Sequence, residues 1–150
     1  MTKKELQDRL KKYAITIVKF SEELPDRSGF RTVKNQIVRS APSSAANYRS
    51  ACRAKSTADY INKMETVEEE LDETMFWLEF TVGLSEEYRS QVKPLWKEGD
   101  ELLAIIVSSI IRTKQNNNKD LNKGQSKPQI KEVTINNNDS APKEVRHPKS

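Results

Sequence analysis

Leu6, Leu10, Tyr13, Ile17, Phe20 and Leu24 follow one another at spacings of four, three, four, three and four residues. That alternation lays one apolar seam along an α-helix, whereas a strand would need apolar residues at every second position. A single helix of about 20 residues with one apolar side is marginal in water, so other helices must cover it. Thr2-Lys3-Lys4-Glu5 supplies its start as a capping box, in which the Thr2 hydroxyl and the Glu5 carboxylate each take a backbone amide left unpaired by the first turn. Pro25 and the turn-rich Asp26-Arg27-Ser28-Gly29 end it.

Three further segments carry the helical period. The second helix is predicted from near Phe30 to about Lys55, with Val33, Ile37, Ala41, Ser44 and Tyr48 among its inner residues. Its middle, Ser40 to Ala46, is small and lets a neighbouring helix approach closely. Pro42 has no N–H for the carbonyl of Val38, which predicts a kink; a new helix starting at Pro42 is the competing reading. Ser56 or Thr57 caps a third helix whose seam runs through Ile61, Met64, Val67, Leu71, Met75, Leu78 and Val82, with Gly83 as its stop. Ser85, followed by Glu86 and Glu87, opens a fourth helix that continues to Lys114. Pro94 lies too far inside for a first-turn proline, so that helix either starts later or bends.

Four helices with short connections predict an all-α, antiparallel up-down-up-down bundle over residues 1–114. After Lys114 the sequence turns to Asn, Lys, Ser and Pro without apolar periodicity or aromatic residues, and residues 115–150 are expected to be a disordered polar, basic tail. No apolar run approaches the roughly 20 residues of a membrane span, and the N-terminus lacks the apolar core of a signal peptide. With a single cysteine, Cys52, these features predict a cytoplasmic protein without an intrachain disulfide.

Charge divides the body sharply. Residues 27–58 hold seven Lys or Arg and no acid, while residues 59–87 hold ten acids and one lysine, Lys63. The net charge of +4 says less, since +3 of it falls in residues 115–150. The basic set Arg31, Lys34, Arg39, Arg49, Arg53 and Lys55 is the candidate contact for the phosphates of RNA or DNA. Two other uses stay open: pairing with the acidic third helix, in the same subunit or the next, and contact with an acidic protein.

Catalytic chemistry has little to work with. The one histidine, His147, lies in the expected tail, the four glycines are scattered singly, and Cys52 reads as a small core residue. Glu65, Glu69 and Asp72 share nearby turns, but carboxylate-bridged metal bundles also use Glu-x-x-His pairs, which this chain lacks. No enzyme activity, metal or cofactor is expected. The leading expectation is a non-enzymatic, nucleic-acid-associated bundle; the alternative is a protein-interaction scaffold.

Gln36-Ile37-Val38-Arg39-Ser40-Ala41, Ala46-Asn47-Tyr48-Arg49-Ser50-Ala51, Glu68 to Thr74, Phe76-Trp77-Leu78-Glu79 and Asp100 to Ile105 carry a resemblance. From about Phe20 to Lys114 the chain resembles the bacterial S23, or 23S ribosomal RNA intervening-sequence, protein family. The resemblance implies a four-helix bundle assembled as a ring-shaped homopentamer. It also implies kinship with the accessory variability determinant of diversity-generating retroelements, a bundle that binds a reverse transcriptase and nucleic acid. A reverse transcriptase or another basic protein is therefore an expected partner. Arg39, Asn47 and Arg49 match the family motif and are expected at a subunit boundary or a nucleic-acid face. In a cyclic assembly the basic face of one subunit can meet the acidic face of the next, which adds Glu69, Asp72 and Glu73 to the expected interface.

Overall fold

The computed structural model describes residues 1–125, and among these the ordered elements are all helical: α1 (Lys3–Glu22), α2 (Ser28–Ala51), α3 (Thr57–Leu84) and α4 (Arg89–Gln125), with a 3-10 turn at Glu86–Tyr88 before α4. Both halves of the predicted capping box form. The Thr2 hydroxyl accepts from the Glu5 amide at 3.1 Å, and the Thr2 amide donates to the Glu5 carboxylate at 2.7 Å. Ser56 caps α3, its hydroxyl accepting from the Asp59 amide at 3.1 Å.

Four boundaries differ from expectation: the start of α2, its end at Ala51 instead of near Lys55, the end of α3 and the start of α4. Helix α2 begins at Ser28, before Phe30, with Arg27 extended and its guanidinium over the Phe30 ring. Helix α2 then passes through Pro42 as one helix, so the reading with a new start there does not hold. Gly83 does not stop α3 by a left-handed turn, since none of the described residues has positive φ; the chain leaves the helix at Ser85, whose backbone is extended. Ser85 makes no side-chain cap, and the 3-10 turn delays α4, which leaves Pro94 inside its second turn.

The largest correction is at the far end of α4. Residues 115–125, expected to be disordered, continue the helix. No proline or glycine lies between Lys114 and Gly124, and adding turns to a formed helix costs little once its start is paid for by the bundle. Lys114 also holds Glu65 of α3 at 2.8 Å, and Asn117 is half-buried. The rest of the expected tail, residues 126–150 with His147, lies outside the described residues.

Specific pairs give the helix directions. Arg9 meets Glu98 and Tyr13 meets Leu95, so α1 is antiparallel to α4. Ser40 meets Thr74 while Gly29 faces Leu84, so α2 is antiparallel to α3. Gly99 faces Met75 while Lys114 meets Glu65, so α3 is antiparallel to α4. The up-down-up-down order follows. Helix α1 packs along α2, α2 along α3 and α3 along α4, and α1 closes on α4 over a shorter stretch. All six residues of the α1 seam are buried, and Leu10, Ile17, Ile37, Leu71, Leu78 and Ile106 are fully enclosed. Each such side chain contributes about 1.5–3 kcal/mol by leaving water. The small centre of α2 does what its size suggests: Ser40, Ala41 and Ser44 are fully buried. The Thr74 hydroxyl donates to its own helix at the Glu70 carbonyl, so Ser40 is left to donate to Thr74 at 2.8 Å. Among the described residues no buried side-chain N or O lacks a partner.

Candidate nucleic-acid interface

The cations of α2 do not form one continuous face. Arg31 is exposed and pairs with Asp26 at 3.3 Å, and Lys34 is half-buried. Arg39 forks across to α3, reaching Glu70 at 3.2 Å and Glu73. The Arg39 hydrogen bond holds the Glu73 carboxyl below the usual carboxylate range, against a smaller opposing effect of burial, and the indole N–H of Trp77 donates to the same carboxylate at 3.4 Å. Of the two pairings left open by the sequence, Arg39 thus adopts the one within its own chain. Asn47 is half-buried and donates back along its own helix to the Ser43 carbonyl at 2.8 Å. Lys55 sits in the connection between α2 and α3, exposed, at the end of the bundle.

Arg49 and Arg53 are different. They are exposed on the last turn of α2 and just beyond it, on one wall of a groove of about 750 Å³ between α1 and α2. The opposite wall is α1, which contributes Lys4, Lys11 and Lys19. Two acids share the groove, Asp8 and Glu22, and Asp8 is already bound by Lys4 at 2.8 Å. The floor is aliphatic: Ala14, Ile15 and Val18 from α1 face Pro42, Ala45 and Ala46 from α2. Cations on two walls can hold a chain of phosphates, while an aliphatic floor has no donors or acceptors with which to read base edges.

The three lysines of α1 were not legible as a site in the sequence. They stand seven and eight residues apart, a spacing that returns to one side of a helix, but Glu5 and Asp8 are interspersed among them and hide the stripe. Only the docking of α1 on α2 aligns them with Arg49 and Arg53.

On α3 the predicted acids separate. Glu73 faces α2, whereas Glu69 and Asp72 are exposed and border a second groove, shared with Leu103, Ile110 and Lys114 of α4. They continue as an outward ridge with Phe76, Phe80 and Leu84, which are 52%, 39% and 41% exposed. Phe76, Trp77 and Phe80 form a ring cluster with centroids 4.9 to 6.0 Å apart. No helix among the described residues is long and apolar enough to cross a membrane.

The family model described as 23S rRNA-intervening sequence protein matches residues 3–108, which spans α1, α2, α3 and most of α4. The chain belongs to this family. Among solved structures, this S23-family chain is similar to a protein of unknown function from the S23 ribosomal protein family of Bacteroides thetaiotaomicron. The two are 30% identical, with a TM-score of 0.67, over 73% of this chain and 98% of that one. No protein of curated function matches the sequence. The family match stops before the last turns of α4, so residues 109–125 extend the S23 bundle beyond the matched segment.

Proposed function

We propose that this S23-family protein is a non-enzymatic, self-associating helical bundle that holds nucleic acid by its phosphate backbone in the basic groove between α1 and α2. One observation carries the reading: Arg49 and Arg53 of the α2 end line one groove with Lys4, Lys11 and Lys19 of α1, and its acid Asp8 is already paired with Lys4. Arg31 and Arg39, engaged with Asp26 and with Glu70 and Glu73, are secondary contributors. Electrophoretic mobility shift with a structured RNA tests it. The full chain shifts the RNA at low salt, the shift weakens as salt rises, and Arg49→Glu with Arg53→Glu abolishes it. A chain that gives no shift even at low salt ends the proposal.

The scaffold alternative is favoured by the aromatic ridge of α3, because large exposed apolar residues in a row mark interaction surfaces. A ring of five copies is the form of assembly expected from the family. Light scattering checks it: a molar mass five times that of one chain supports the ring, and a single-chain mass at all concentrations excludes it.

A further inference from the structure

Helix α4 runs on past the start of α1, and the side of it that α1 covers changes chemistry where α1 ends. Glu98 and Glu101 hold Arg9 of α1, so their positions mark that side of α4. At 3.6 residues per turn, Arg112, Asn116, Lys119 and Lys123 return to it. All four are exposed. Asp120, the one acid between Arg112 and Gln125, lies about a quarter-turn aside, and Lys114 points the other way, to Glu65 of α3 at 2.8 Å. Arg112 stands level with the start of α1. Lys3, the first residue of α1, places its ammonium 5.9 Å from the centroid of the Tyr60 ring. Burial raises the pKa of the Tyr60 phenol, and the nearby Arg112 charge opposes that rise.

We infer that the overhang of α4 is a second phosphate contact, a cationic arm that carries a nucleic-acid duplex on past the end of the α1–α2 groove. The inference rests on the nucleic-acid reading of that groove. Groove and arm meet at one end of the bundle: Lys4 and Arg53 line the groove there, and Lys3 and Lys55 line a hollow beside it with Tyr60 and Thr113. The groove is about 27 Å long from Lys4 to Glu22, and the arm adds about 17 Å from Arg112 to Lys123. Cations on the arm hold phosphates, and the Asn116 amide adds a neutral donor to them. The arm has no aromatic residue on which the bases of a single strand would stack, so the backbone of a duplex is the partner that fits. It begins after residue 108, where the family match ends, so the lengthened site belongs to the part of this chain outside the matched bundle.

RNA duplexes of two lengths test the arm on the full chain. At about 3.4 Å or less per base pair, a duplex of about 8 pairs is no longer than the groove, while one of about 20 exceeds groove and arm together. Arg112→Gln with Lys119→Gln removes two charges from the arm. Lys93→Gln with Lys97→Gln removes two from exposed positions near the other end of α4 and controls for net charge. Circular dichroism verifies that both variants remain helical, and fluorescence anisotropy at several salt concentrations gives the affinities. On the long duplex the arm variant is expected to lower the slope of log affinity against log salt by about 2 in magnitude. On the short duplex it is expected to match the wild type, and the control variant to match it on both. A wild-type slope for the arm variant on the long duplex overturns the arm and leaves the groove standing, provided that Arg49→Glu with Arg53→Glu still abolishes binding of the short one. A loss of equal size on both lengths, or in the control, overturns the arm as well. If the wild type binds neither duplex at low salt, the groove reading falls and the arm with it.

Discussion

Gly99 is the residue at which the bundle tolerates least change. A Cβ built there would lie 2.5 Å from the Tyr13 hydroxyl and 3.1 Å from Met75. The absence of a side chain lets that hydroxyl reach over α4 and donate to the Leu95 carbonyl at 3.0 Å, one turn earlier. Burial raises the pKa of the Tyr13 phenol, so the hydroxyl keeps its proton as a donor through the physiological range. Gly99→Ala is expected to destabilise the fold by about 1–3 kcal/mol, read as a lowered denaturation midpoint, although alanine is the better helix former. Glu73 makes a prediction of a different kind. Its folded-state pKa lies below the ordinary value of 4.5. Its contribution to stability is therefore complete above that value and is lost as pH falls through the depressed one. Glu73→Gln is expected to flatten the acid limb of stability against pH below about 4.5, with little change at neutral pH beyond the modest worth of a partly exposed ion pair. An unchanged acid limb would show that Arg39 does not hold this carboxylate in solution.

Each helix is formed by local rules and aimed by its neighbours. Helix α1 has a capping box, one seam and a proline stop, and its range is close to what those features predict. Helix α2 keeps a proline in its interior. Pro42 removes the hydrogen bond to the Val38 carbonyl and is half-buried beside the groove. Its persistence within one helix shows that packing of Ile37, Ala41 and Ser44 outweighs a local cost of about 3 kcal/mol. Pro42→Ala is accordingly expected to stabilise the bundle by roughly 2 kcal/mol, the helix gain less the added freedom of the unfolded chain. Chemical denaturation measures it, and a destabilised variant would mean that the ring itself is needed to fill the floor between α1 and α2. Helix α4 shows the converse case, since its last eleven residues are helical with almost no buried side chain.

At the scale of the whole molecule, the bundle carries its charges on separate sides: a cationic groove where α1 meets α2 and an acidic, aromatic ridge on α3. Sides of opposite sign say nothing about the fold but much about association. Binding through cations over an aliphatic floor is expected to be insensitive to base sequence and steep in salt. Replacing Arg49 and Arg53 by alanine should lower the slope of log affinity against log salt by about 2 in magnitude, uniformly across duplexes of different sequence. A variant whose loss depends on the duplex sequence would point to base contacts that this groove does not offer.

The sequence by itself determined the class of fold, the number of helices, the limits of α1 and the start of α3. The reason is that seam periodicity, caps and prolines act within a few residues of backbone. Leu6 to Leu24 and Met64 to Val82 could be read as core because burial on one helical face repeats in the chain. It also held the family resemblance in short motifs such as Gln36 to Ala41. Where the period was absent, after Lys114, the reading ended the helix too early, since a formed helix continues until something breaks it. Only the tertiary structure decided which charges meet. Arg39 and Glu73 lie 34 positions apart, and their pairing depends on the register between α2 and α3. Lys4, Lys11 and Lys19 join Arg49 and Arg53 only because α1 and α2 pack side by side, a relation between faces that no local pattern encodes.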